Sequence, residues 1–105
     1  MEIVGTDSAL NMLRRIAPLL ARIGADSVVK GDGEADIGPL LRAGVPGGGL
    51  HVDGSKYFWF HHTNADTPDK LDPADVARCV AVMAVYAYVI AEMPERLPRT
   101  PVPAR

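Results

Sequence analysis

Cysteine is almost missing: the 105-residue chain has one, Cys79. A lone cysteine closes no internal disulfide and builds no thiolate zinc site by itself. It lies in an apolar run, which leaves a small buried hydrophobe and a reactive thiol as its two readings. Aromatics are few, at 6%, and no basic stripe exists: 11 lysines and arginines stand against 13 aspartates and glutamates, for a net charge of -2. The electrostatic footprint of a nucleic-acid binder is therefore absent, and no nucleic acid is expected as a partner. Long apolar runs are lacking too. The longest, Cys79–Ala91, has 13 residues between Arg78 and Glu92, whereas a bilayer span needs about 20. A core helix rather than a membrane anchor is expected there. Met1–Gly5 carries neither a basic nor an apolar signal region, so no signal peptide is expected and the compartment stays open.

What remains is 48% apolar and 23% charged residues, the profile of one folded domain that buries roughly two-thirds of its unfolded surface. Leu13, Ile16, Leu20 and Ile23 share one helical face, which predicts a helix over Ser8–Ile23 with Ser8 as cap and Gly24 as terminator. Pro18 inside it either kinks or restarts that helix. Ser27–Val29 reads as a strand, and Asp36–Ala43 as a short helix with Pro39 in its first turn and Gly44 behind it. Val45–Val52 reads as a strand entered through Pro46 and three glycines. Gly47–Gly49 has no phosphate-loop spacing. Asp72, Pro73 and Asp75 announce a final helix. Val76, Cys79, Val80, Met83, Ala87 and Ile90 form its expected inner stripe, and Val82, Val85, Tyr86 and Val89 make the other side apolar as well. A helix apolar nearly all round is expected to be buried on more than one side. Pro94 and Pro98 end it, and the three prolines of Pro98–Arg105 predict a frayed tail. Alternating helices and strands argue for α/β layering over a mostly parallel sheet.

The densest chemical signal is Tyr57–Thr67, YFWFHHTNADT. Histidine is the commonest ligand for metals such as zinc. If the segment is extended, neighbouring side chains face opposite ways, so His61 and His62 do not chelate one ion together. Either one of them is a lone ligand, or both are hydrogen-bonded histidines beside an aromatic cluster. Asp66 either holds a histidine ring through its second N–H or folds into an Asx turn. Of the four aromatics, one pair is expected in the core; the other, Tyr57 included, is left to border a pocket or a subunit contact.

The stretch Tyr57–Pro73, YFWFHHTNADTPDKLDP, resembles the C-terminal zinc-histidine motif of the M28 family of zinc peptidases, most of all its carboxypeptidase Q-like branch. GEADIGPLLRAGVPG, residues 33–47, is similar to the same family's loop and helix before the last strand, and the helix Asp72–Met93 with its exit Glu95–Pro98 also matches. The resemblance covers nearly the whole chain, strongest from Gly33 to Pro98. It implies a phosphatase/phosphorylase-like α/β/α sandwich around a mixed, mostly parallel sheet, of which residues 1–98 would be the C-terminal part and 99–105 a proline-rich tail. It also implies two zinc ions bridged by an aspartate and a water, with a glutamate as general base and peptides or dipeptides as substrate. By position His62, directly before Thr63, is the zinc ligand; His61 is not carried over as one. Asp66, His61, Asp36 and Tyr57 are candidates for the surroundings of that site, although Asp36 is expected chiefly as a helix cap.

The family's other ligands and its catalytic glutamate have no counterpart in this sequence. Asp32, Glu34 and Asp36 cluster, but in a loop that supplies no ligands in the family. One protein ligand makes no stable zinc site. The chain is thus expected to be a fragment of a two-zinc exopeptidase whose partner is the rest of the catalytic domain. Alone it is expected to be inactive. A free-standing binding or structural module that kept only this part of the fold is the alternative. A third reading makes the apolar final helix an oligomerisation surface, and hence a homodimer.

Overall fold

The computed structural model describes residues 1–33 and 35–102; Glu34 and the end of the proline-rich tail, residues 103–105, lie outside the described residues. Its sheet is built around a strand that hydrophobic periodicity does not announce. This strand, β1 (Glu2–Val4), is the middle one of three. On one side it pairs in parallel with β2 (Val29–Lys30), Glu2 facing Val29 and Ile3 facing Lys30. On the other it pairs antiparallel with β3 (Gly47–Gly49), Ile3 facing Gly48. The sheet is therefore mixed, as expected, and the architecture is α/β. The two expected strands form but are shorter and shifted: one begins at Val29, and the other is confined to the three glycines.

Helix α1 (Asp7–Ile16) starts one residue before the expected cap, because Thr6 rather than Ser8 fills that role. The Thr6 hydroxyl accepts from the Ala9 N–H at 3.1 Å, which satisfies a donor that the helix leaves free. Pro18 does restart the helix: Ala17–Ile23 continues as a tighter 3-10 segment with the proline in its first turn. Gly24 closes it at φ 70, the left-handed terminator its position predicts. Strand β1, α1 with its 3-10 extension, and β2 thus form one βαβ unit.

Asp36 is not a helix cap. It sits inside a 3-10 turn, Ala35–Ile37, and α2 (Gly38–Arg42) follows without any side-chain cap. Gly44, in the left-handed region at φ 78, turns the chain towards β3. The tail expected to fray is tied down at Thr100, whose N–H donates to the Gly44 carbonyl at 3.0 Å.

Beyond a one-turn helix, α3 (Tyr57–Phe60), the last element is α4 (Pro73–Glu92). Its start is the one the sequence spells out: the Asp72 carboxylate accepts from the Ala74 N–H at 2.7 Å, and Pro73 opens the helix. Its packing departs from most of the expected stripe, of which Ile90 alone packs against the core and Cys79 is half-buried. Val82 and Tyr86 enter the core, with Val85, Val89 and Ile90 against it, while Val76, Val80 and Met83 are exposed. A helix apolar all round has little moment to mark an inner face, so tertiary contact decides it. The core they join is formed by Ile3, Ala9, Leu10, Leu13, Ile16, Ala17, Leu20 and Val28, between the sheet and α1. Burial on more than one side is not observed. The whole 20-residue helix, unlike its charge-bounded run, is long and apolar enough to cross a membrane; core helices of soluble proteins reach the same length and composition.

Candidate functional site

Residues 51–72 leave the core as a surface arm in which only Phe60 and His61 are partly covered. An Asx turn begins it, the Asp53 carboxylate accepting from the Ser55 N–H at 2.9 Å. That bond holds the Asp53 carboxyl below the usual carboxylate range. The aromatic run is then helical, as α3, and not extended. Among the described residues no strand pairs with it, so the backbone takes its hydrogen bonds locally. Phe58 and Trp59 are 81% and 69% exposed, so the expected core pair is not found.

Helical spacing brings Tyr57 and His61 together, four residues apart. Their rings stack at a centroid distance of 4.3 Å, and the Tyr57 hydroxyl lies 3.5 Å from His61 Nε2. On the other side of His61 stands the His62 ring at 3.9 Å, tilted by 31°. The two imidazoles therefore lie side by side rather than on opposite faces. The cause is backbone geometry: His61 has φ -46 and ψ 123, His62 has φ 57, and the Thr63 N–H donates to the Phe60 carbonyl at 2.9 Å. This is a type II turn with His62 at the position that usually requires glycine. Among the described residues His62 is the only non-glycine residue with positive φ.

The rest of the motif folds around Thr63. Its hydroxyl donates to the Phe60 carbonyl at 2.6 Å and accepts from the Ala65 N–H at 3.2 Å. The Asp66 N–H donates to the Thr63 carbonyl at 3.1 Å, while the Asp66 carboxylate faces solvent and Tyr57 is the group stacked on His61. Downstream, Lys70 and the Thr67 hydroxyl both bond the Asp69 carboxylate and hold its carboxyl below the usual range.

Among the described residues no three His, Cys, Asp or Glu side chains converge into a set able to hold a metal ion. His62, Asp66 and Asp36 are thus not gathered into one ligand group, and the donors present do not by themselves fit a zinc ion. Two features escape a linear reading. His51 Nδ1 lies 3.6 Å from Glu2 Oε2 across the β1–β3 pair, a meeting that only the strand register creates. Thr63 organises the turn, and its only sequence signal is a hydroxyl directly after the histidine pair.

A family model described as peptidase family M28 matches residues 5–87, a span that includes all of YFWFHHTNADT. The chain belongs to peptidase family M28. Among the relatives of this M28 chain, carboxypeptidase Q of Xenopus laevis is 40% identical over 99 residues, 94% of the chain. Carboxypeptidase Q of Mus musculus is 38% identical and that of Homo sapiens 36%, each over 100 residues and 95% of the chain. The chain spans only 21% of the length of each of these relatives. No solved structure matches it significantly.

Proposed function

We propose that the chain is the C-terminal portion of a co-catalytic two-zinc exopeptidase acting on dipeptides or terminal peptide bonds, and that His62 is its contribution to the metal site. The observation that carries this reading is the placement of His62. Within the M28 match, in the HTNADT motif, an exposed imidazole is held on a strained backbone. Strain of this kind, costing on the order of 1–3 kcal/mol, clusters at functional sites.

The remaining ligands and the general base would come from the part of the enzyme outside this chain, in keeping with a match to 21% of each relative. The same part would cover the face of α4 bearing Val76, Val80 and Met83, apolar surface that a finished domain buries. Chemistry at the zinc pair is not derivable from one donor. What this chain's own residues do is display His62 beside His61 and Tyr57. Asp66 borders the same turn, and Asp36 sits in a separate 3-10 turn.

The test is direct. Purified chain is given zinc and assayed for dipeptide hydrolysis, with thermal melts in zinc and in chelator alongside. No turnover and coincident melts are expected, because nothing in the folded state binds the ion tightly enough to shift its stability. Robust turnover that His62→Ala abolishes would show instead that the chain carries a complete site.

A further inference from the structure

We propose that Thr63 is the positioning residue for His62, holding it in the left-handed backbone conformation through the hydroxyl clamp on the Phe60 carbonyl. This deepens the reading of His62 as a donor and rests on it.

The left-handed region is uncommon for any residue but glycine, although histidine enters it more often than most, and a residue that stays there is held by the interactions around it. Packing does not supply them here, since His62, Thr63, Asn64 and Ala65 are all exposed. Hydrogen bonds do. Thr63 bonds the Phe60 carbonyl twice, through its N–H at 2.9 Å and its hydroxyl at 2.6 Å, and the Thr63 hydroxyl oxygen itself accepts from the Ala65 N–H at 3.2 Å. The Phe60 carbonyl is the first acceptor of the turn whose third residue is His62. Fixing it fixes the turn, and the turn lays the His62 ring 3.9 Å from the His61 ring. The His61 ring is in turn seated on Tyr57 at 4.3 Å. The result is an imidazole aimed by the backbone instead of by a buried pocket.

The clamp matters because residue 62 is not glycine. A glycine pays no penalty at positive φ, so the hydroxyl should become dispensable once the histidine is replaced by one. That conditional dependence separates a positioning role from a merely structural one.

The experiment is solution NMR on the metal-free full chain. The wild type should show the type II pattern, a strong contact from the residue 61 Hα to the residue 62 N–H and a strong contact between the residue 62 and 63 amides, with ring-current shifts on the His61 and His62 ring protons. Thr63→Val keeps shape and removes the hydroxyl. It should weaken the amide contact about fivefold, the loss expected for one ordinary hydrogen bond, and move the ring protons towards unstacked values. Thr63→Ser should restore both signals. The double variant Thr63→Val/His62→Gly should recover the amide contact. Thermal melts of all variants should coincide, since the arm contributes nothing to the core. A Thr63→Val variant with wild-type contacts, a Thr63→Ser variant that fails to rescue, or a wild type without the turn pattern overturns the proposal. No metal enters the measurement, so the turn and its clamp stand or fall independently of whether His62 binds zinc.

Discussion

Tyr86 carries a hydroxyl into the centre of the core. It is 1% exposed, and its Oη has no hydrogen-bond partner among the described residues. An unpaired buried hydroxyl costs about 1–3 kcal/mol of desolvation, so Tyr86→Phe, which keeps the ring, should raise stability on the order of 1 kcal/mol in a denaturant melt. Burial, with the Asp26 charge behind it, pushes the phenol above its ordinary value of 10.0. The unfolded chain therefore gives up this proton first. Stability from Tyr86 is fully present below about pH 10 and falls as pH rises through the higher folded value. Melts across the alkaline range should show that fall in the wild type and a smaller one in Tyr86→Phe. Among single residues, those whose role is local could be read in sequence: Asp72 as cap and Gly24 as terminator. The side-by-side histidines could not, because they depend on a turn type that histidine does not signal.

Elements were legible where their signals lie within a few residues. Helix α4 begins where Asp72 and Pro73 place it, and Asp72→Ala should cost about 1 kcal/mol, read as a lower melting midpoint with early loss of helix at its first turn. Strand β1 was not legible, because three residues carry no periodicity and become a strand only by pairing with β2 and β3. The aromatic run suggested an extended segment and forms a helical turn for the complementary reason, having no strand to pair with. Gly44 joins two elements by tertiary contact. At its φ of 78 a side chain is disfavoured, and a Cβ there would meet the Thr100 carbonyl and the Val102 side chain, the latter at 2.9 Å. Gly44→Ala should cost about 2 kcal/mol or more, seen as a lower denaturation midpoint and release of the segment around Thr100.

At the scale of the whole molecule the chain is loosely gathered. Its radius of gyration is 15.3 Å, against about 13 Å for a close-packed domain of this length. The surface arm and the one-sided burial of α4 account for the excess. Core and exposed face should respond oppositely to substitution. Leu13→Ala, at a position 1% exposed, should cost about 2–5 kcal/mol. Val80→Glu and Met83→Lys on the open face of α4 should each stay within about 0.5 kcal/mol in a chemical melt. A large loss of stability from either would mean that this face is covered within the chain itself.

The sequence by itself determined the α/β class, the caps of α4, the terminator of the first helical segment and, through YFWFHHTNADT, the peptidase family. The caps and the terminator rest on residues close along the chain whose local chemistry has one outcome, the class on the order of elements, and the family on the resemblance of the motif. The tertiary structure alone decided that Glu2–Val4 is the central strand, which side of α4 is inner, and that His61 and His62 stand together. Those outcomes depend on which surfaces meet. A strand needs partners, a helix apolar on every side takes its inner face from its neighbours, and a strained histidine keeps its place only where hydrogen bonds hold the turn around it.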